Sequence, residues 1–460
     1  MTKKLFNGFE KVSSKEWKQK IQVDLKGADY NDTLIWKNNE GIDVKPFYHA
    51  DEFKTPFNSI AGPKGWSICQ SIFVFDVALS NKKALDILER GAESIQFIIP
   101  NQDVSINDLL QNIAVETIPL YFELQFLDSE FVKQLNNYLL ERSTKAANAG
   151  NFYIKTDIIG NLAKTGNWFI NLKEDHKHFE AIVKNTNSFS IDVSLYQNAG
   201  ATMVQQLGYA MAQTNEYLNH LENADKQPIQ ITYHISVGTN YFFEIAKLRA
   251  LRLLCNTLVK EYSLEAVCHI VATPTKRNKT IYDYNTNMLR TTTECMSAIL
   301  GEADTICNLA YDAIYHKDNE FGERIARNQL LVLKRESYFD VVENASEGSY
   351  YIESLTNQLA EKALELFKDI EAKGGFLNQL KEGTIQRKIK ESAAKEQEQF
   401  DTGAIVLLGT NKHPNKKDIM KDELELFPFV KTNIRKTLIQ PIIEKRLAEK
   451  IEQERLKTEN

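Results

Sequence analysis

The chain has little cysteine and no pairing among what it has. Cys69, Cys255, Cys268, Cys295 and Cys307 are an odd set with no closely spaced pair, which argues against a disulfide framework or a zinc ribbon and reads as reduced thiols in a cytosolic protein. Long apolar runs are missing too: no stretch approaches the roughly 20 residues of a membrane span, and the start, MTKKLFNGFEKVSSKEWKQ, lacks the apolar core of a signal peptide. Nor is there an excess of positive charge. With 56 Lys and Arg against 62 Asp and Glu, interspersed along the chain, the formal charge is −6, so no broad basic face exists to neutralise phosphates of nucleic acid. The expectation is a soluble, cytoplasmic protein with neither a nucleic-acid nor a membrane partner.

Self-contained chemistry is also sparse. There is no Walker-type phosphate loop, no Gly-rich dinucleotide turn after a strand, no HExxH and no nucleophile elbow. The eight histidines are His49, His176, His178, His220, His234, His269, His316 and His413. His176 and His178 stand two apart in NLKEDHKHFEAIV, which reads as an exposed helix, a poor setting for a shared metal. His234 and His269 fall inside strand-like runs and are read as histidines satisfied by neighbouring polar groups. The charged strand positions Asp76, Glu123, Lys155, Asp157 and Asp192 are open to two readings, structural ion pairs or a site, because charge is rarely buried unpaired.

Apolar content is ample. At 43% hydrophobic over 460 residues, the chain can bury one large core with appendages. Runs rich in β-branched and aromatic residues alternate with helix-period runs, the pattern of repeated βαβ units. The strands fall at Ser71–Val77, Ser94–Ile99, Leu120–Phe126, Phe152–Ile159, Phe189–Leu195, Ile229–Val237, Ala266–Ala272 and Thr305–Tyr311. Helical stripes lie between them, such as Phe243, Ala246, Ala250, Leu253, Leu254 and Leu258, and Gly91 takes a C-cap position after a helix over Asn81–Arg90. Eight such units predict an α/β fold, a (β/α)8 TIM barrel. The expected organisation is an N-terminal extended arm over 1–64, a barrel over 65–400, and a C-terminal helical extension over 401–460.

The arm carries Trp17, Leu25, Leu34, Trp36 and Tyr48, which must bury either against the barrel or against another chain. After the barrel, Leu355, Leu359, Ala363, Leu366, Phe367 and Ile370 form an amphipathic helix ending at Gly374 and Gly375. Residues from Leu438 onward show only the thin stripe Ile443, Leu447 and Ile451, which predicts a solvated helix or a frayed tail.

Three runs carry a resemblance: RTTTECMSAILGEAD at Arg290–Asp304, YYIESLT at Tyr350–Thr356, and IQRKIKESAAKEQEQFDTGAIVLLGTNKHPN at Ile385–Asn415. With SSKEW at Ser13–Trp17, LKGA at Leu25–Ala28, LIWKNNEGIDVKPFY at Leu34–Tyr48, YFFEIAKLRALRLL at Tyr241–Leu254 and ERIARNQLLVL at Glu323–Leu333, the chain resembles the methylmalonyl-CoA mutase family, and its small (beta) subunit in particular. The resemblance spans nearly the whole chain. It implies a complex that interconverts methylmalonyl-CoA and succinyl-CoA by a radical rearrangement whose chemistry belongs to adenosylcobalamin.

The departures from the family decide what this chain is expected to do. The catalytic subunit's Tyr-His pair, whose histidine polarises the thioester carbonyl, falls on Ser194 and Leu195, ahead of QNAGA at Gln197–Ala201. Leucine cannot donate a hydrogen bond. The family's Arg-Gln-Tyr-Ala-Gly stretch reads Cys69, Gln70, Ser71, Ile72 and Phe73, and no histidine has Asp two places before it, as the cobalt ligand of the cobalamin module does. That module is expected to be missing. Bulky strands such as FVFDV, IQFII and LYFEL are read as a filled barrel axis. The resemblance therefore implies a non-catalytic small subunit that stabilises a heterodimer with the large (alpha) subunit. No catalytic, cofactor-binding or metal residue is assigned to this chain, and adenosylcobalamin is expected on the partner. The rival expectations are an acyl-CoA mutase barrel acting with a detached cobalamin protein, and an acyl-CoA-binding or chaperone-like protein.

Overall fold

In the computed structural model the described residues are 8–53, 62–143, 152–221, 228–431 and 434–459. Eight parallel strands alternate with helices: β1 Ser67–Phe73, β2 Ser94–Ile99, β3 Leu120–Leu124, β4 Phe152–Lys155, β5 Ser188–Asp192, β6 Ile229–Val237, β7 Ala266–Pro274 and β8 Thr305–Cys307. All eight expected strands are present, and the fold is a (β/α)8 TIM barrel. The backbone ladder runs β4-β3-β2-β1-β8-β7-β6-β5, so its two ends, β4 and β5, face each other across a seam.

Boundaries shift where capping chemistry outweighs β propensity. The first strand starts at Ser67 rather than Ser71, and the chain then turns into the helix Val77–Glu89, whose N-cap Asp76 accepts the Leu79 amide at 2.8 Å. The fourth strand stops at Lys155 because Asp157 caps the helix Ile158–Thr165, accepting the Gly160 amide at 2.8 Å. The fifth stops at Asp192, before a short helix over Ser194–Asn198.

Side-chain alternation divides the strands between two cores. Ile68, Ile72, Val74, Ile95, Phe97, Phe122, Ile191, Ile231 and Ile235 join the large apolar layer between sheet and helices. Cys69, Tyr121, Val271 and Cys307, with Tyr153 packed on them, form a separate cluster. Its members come from β1, β3, β4, β7 and β8, so their contacts cross the barrel axis. Of the bulky residues taken from the sequence as axis fillers, Phe97 and Phe122 point outward, while Tyr121 of the LYFEL run faces the axis.

Part of the arm docks on its own barrel. Trp36 meets the buried Phe243 edge-on at 5.8 Å, Tyr48 lies 5.3 Å from Tyr351, and Glu40 accepts the Val204 amide at 2.9 Å. The arm helix Ser14–Asp24, closed by a capping box of Ser13 and Glu16, has no buried residue, and Trp17 is 51% exposed.

The C-terminal stretch corrects the expectation of a solvated helix or frayed tail. Residues 434–446 form an extended strap over the C-terminal rim of the barrel, and only Glu449–Leu456 is helical. Amides of the strap donate to rim carbonyls: Leu438 to Gly166, Ile442 to Ala163, Lys445 to Asn198 and Leu447 to Arg277, at 2.8 to 3.0 Å. Charge does not keep this segment in water, because its buried acids are paired. Glu452 is fully buried and its carboxylate lies 2.6 Å from Arg446, which also donates to the carbonyls of Lys279 and Pro428.

Candidate functional site

A barrel of this kind presents chemistry at the C-terminal ends of its strands. Register brings Glu123 beside Lys155 and Asp192 beside His234. Lys155 Nζ lies 3.2 Å from Glu123 and 3.0 Å from Asp192, and Gln96 donates to Glu123 at 2.9 Å. Four of the five charged positions singled out from the strands thus act in two linked arrangements. Three form this ion triad. Asp157 acts behind it, accepting the Asp192 amide across the seam at 2.8 Å and the Tyr217 hydroxyl at 2.5 Å. The fifth, Asp76, is a helix cap outside the axis.

Electrostatics in the triad follow from its partners. Burial raises the Asp192 carboxyl, but Lys155, His234 and the Ser194 hydroxyl outweigh it and hold the group well below the usual carboxylate range. Burial lowers Lys155, yet Asp192 and Glu123 drive it above its ordinary value. His234 goes the other way, down to about 3, through burial first and then the nearby Lys155 charge. No hydrogen bond satisfies the His234 ring among the described residues, so the expected polar partner is absent.

One layer further along the axis, Tyr121 and Tyr153 stack at 4.6 Å, and Tyr153 stacks on His269 at 4.1 Å. The Tyr121 hydroxyl lies 2.9 Å from His269 Nε2 and 2.6 Å from Thr305 Oγ1. His269 is thus satisfied by a neighbour, as expected. These three rings occupy the axis.

Cys69 and Ser71 face the axis, and Ser71 Oγ lies 3.1 Å from Cys307 Sγ. Gln70 points the other way, donating to Glu323 at 3.0 Å and accepting from Arg327 at 2.5 Å. Ser194 donates to Asp192. Leu195, 3% exposed, belongs to the main apolar core and offers no polar atom. QNAGA lines a cavity of about 900 Å³ between the arm residues 36–40, the β6 and β7 loops and the helix Thr384–Asp401. Gly200, at φ +94°, passes so close to Arg277 that a Cβ would stand 2.8 Å from its guanidinium. Gln197 bonds Gln206, which in turn accepts from the buried Lys247 at 3.0 Å.

Of the remaining six histidines, five have structural partners, His49 pairing with Asp51 at 2.9 Å. His176 Nδ1 lies 2.7 Å from the Leu172 carbonyl, His178 accepts the Ser129 amide, His220 pairs with Glu180 at 2.7 Å and His316 with Asp312 at 3.2 Å. Among the described residues no group of three His, Cys, Asp or Glu side chains is arranged to hold a metal.

Sequence reasoning missed the buried polar latches that join the three recognised runs. Arg249 is fully buried and pairs with Glu302 at 2.7 Å and Glu353 at 3.0 Å, one from each of the first two runs. Arg290 of the first run donates to the Leu408 carbonyl of the third at 2.8 Å. Glu294 pairs with the buried Lys279 at 2.7 Å, and Glu396 with Arg277 at 2.5 Å. The signal was present as charged residues inside apolar helical stripes.

Residues 102–458 match methylmalonyl-CoA mutase as a family. The chain is 33% identical to the methylmalonyl-CoA mutase small subunit of Porphyromonas gingivalis, over 92% of this chain and 73% of that one. It is 26% identical to the small subunit of Streptomyces virginiae (86% and 68%) and 27% identical to the methylmalonyl-CoA mutase of Rhizobium meliloti (90% and 64%). The chain spans about two thirds of the length of these last two relatives. With this extent of match, the chain belongs to the methylmalonyl-CoA mutase family and is small-subunit-like within it.

Proposed function

We propose that this chain is the non-catalytic small subunit of an adenosylcobalamin-dependent methylmalonyl-CoA mutase, working in the cytoplasm as a heterodimer with a large subunit that isomerises methylmalonyl-CoA to succinyl-CoA. The observation that carries the reading is Leu195. At the position where the resemblance implies a thioester-polarising histidine, a buried leucine has no proton or hydrogen bond to offer. The axis supports the same reading. An acyl chain threaded along it meets the Tyr121, Tyr153 and His269 rings, and Cys69 and Ser71 stand where the family has Arg and Tyr.

Adenosylcobalamin supplies the radical in such complexes. The residues here do not fit it: His176, His178, His220, His269 and His316 are committed to protein partners, and none of the eight histidines follows the Asp-x-His-x-x-Gly pattern. No step is therefore routed through this chain. Its role is to stabilise the catalytic partner, and the half-exposed Trp17 on a helix with no buried face is the contact best suited to that partner.

Co-expression with the large subunit from the same genome, gel filtration, and a mutase assay of each chain and of the mixture test the reading. Co-elution, with turnover only when the large subunit is present, is the expected result. Turnover by this chain with a detached cobalamin protein would sink it.

A further inference from the structure

A second cavity, of about 750 Å³, lies on the C-terminal rim between the strap, the loops after β7 and β8, and the segment 427–431. Its volume is in the range of small-ligand sites. Two features set it apart from the rest of the surface. First, Lys164, Lys276, Lys431 and Lys445 line it, all are exposed, and among the described residues none of the four ammonium groups makes a hydrogen bond or an ion pair. The chain as a whole carries −6; lysines without an ion pair occur elsewhere on it, but here four of them line one hollow. Four unneutralised cations around one hollow therefore create a local positive field against the overall charge. The two acids of the cavity, Glu444 and Glu449, offset only part of it, since the four lysines and Arg435 outnumber them. Glu444 accepts from Asn198 at 3.3 Å, and Glu449 accepts the Arg446 and Val430 amides at 2.9 and 3.2 Å.

Second, the wall between the cations is apolar. Phe427 and Ile443 are 59% and 53% exposed there, large side chains left facing water beside the charges. In barrels of this fold, the loops after the seventh and eighth strands commonly hold phosphate, and here Lys276 and Arg277 follow β7 while Leu309 and Ala313 follow β8. Arg277 itself is committed to Glu396 and to the Lys445 carbonyl, so it braces the wall and leaves the head group to the lysines.

We propose that this rim cavity binds a phosphate monoester with a short apolar tail, the phosphate among Lys276, Lys431, Lys445 and Lys164 and the tail against Phe427 and Ile443. A phosphate monoester carries nearly two negative charges at neutral pH, which suits a cluster of several unpaired ammonium groups better than a single carboxylate does. The site is independent of the partner subunit and of the assignment made above.

Calorimetric titration of the full chain alone with n-hexyl phosphate tests it, with inorganic phosphate, hexanol and hexanoate as comparison ligands. Saturable binding at one site is expected, at least tenfold tighter than that of each comparison ligand. Lys276→Glu with Lys431→Glu should weaken hexyl phosphate at least tenfold, whereas charge reversal at Lys184, on the helix Leu172–Thr186, should leave it unchanged. Ile443→Ser should weaken hexyl phosphate and spare the response to inorganic phosphate. Because all these side chains are exposed, unchanged melting of the variants separates lost binding from lost folding. Absence of saturation, equal binding of hexanoate or inorganic phosphate, or indifference to the double reversal would each overturn the proposal.

Discussion

Lys155 Nζ sits 3.0 Å from Asp192 and joins β4 to β5 at the seam where the barrel's backbone ladder has its two ends. Glu123, 3.2 Å away on β3, completes the triad. Closure of the barrel at this point is carried by side chains and by the Asp192 amide bonded to Asp157.

Lys155→Met leaves two carboxylates facing each other without a counter-charge, and removing one partner of a buried pair costs about 3–5 kcal/mol. Urea unfolding at pH 7 checks the loss. The folded-state Asp192 is held low, so its contribution is present above the unfolded value near ~3.9 and fades as pH falls below it. In the variant that depression is gone, and the fall in stability below about pH 4 becomes shallower. An unchanged acid limb would contradict the ion-pair account.

His234 acts on the same acid side, over a higher pH range. Its folded value, about 3, is below that of a free imidazole, so between that value and about 6.5 the unfolded chain binds the extra proton and stability drops as the pH falls. From pH 7 to 5 the loss amounts to about 2 kcal/mol. His234→Gln should flatten that slope by this amount in paired urea titrations.

Leu195→Ala should cost about 2–5 kcal/mol, since the side chain is buried in the main core. Leu195→His is expected to produce no mutase turnover in the isolated chain, because Cys69 and Ser71 still occupy the axis. Turnover in that variant, measured with a cobalamin protein supplied, would show that one residue alone separates the chain from catalysis.

Arg446→Ala strands the fully buried Glu452 and removes donors to Lys279 and Pro428. The strap should open locally, with trypsin cleaving at Arg435 and Lys436 at least tenfold faster than in the parent. Equal cleavage rates would mean that the strap is held by its backbone bonds alone.

Trp17→Ala should leave the melting of the isolated chain nearly unchanged, within about 1 kcal/mol, as expected for a surface position. It should weaken the heterodimer at least tenfold, about 1.4 kcal/mol. Trp36→Ala, by contrast, should destabilise the isolated chain because it loses the Phe243 contact.

Architecture was readable because its causes are local. Periodicity placed all eight strands, and the stripe of Phe243, Ala246, Ala250, Leu254 and Leu258 is buried in the helix Tyr241–Glu261. Gly91, at φ +95°, follows the helix that caps there. Strand ends were less legible, since Asp76 and Asp157 are caps whose role appears only when a turn forms around them.

Composition and motif order were enough to establish the family and the barrel. Which face each side chain takes was decided in three dimensions. Phe97 and Phe122 read as axis fillers but point outward, because strand alternation has a phase that sequence does not label. Tyr121 and His269 are 148 positions apart and meet only when the barrel closes. The strap looked like a solvated tail for the same reason: its buried charges, Arg446 and Glu452, neutralise each other, and its amides are satisfied by carbonyls of distant loops, which local sequence patterns do not encode.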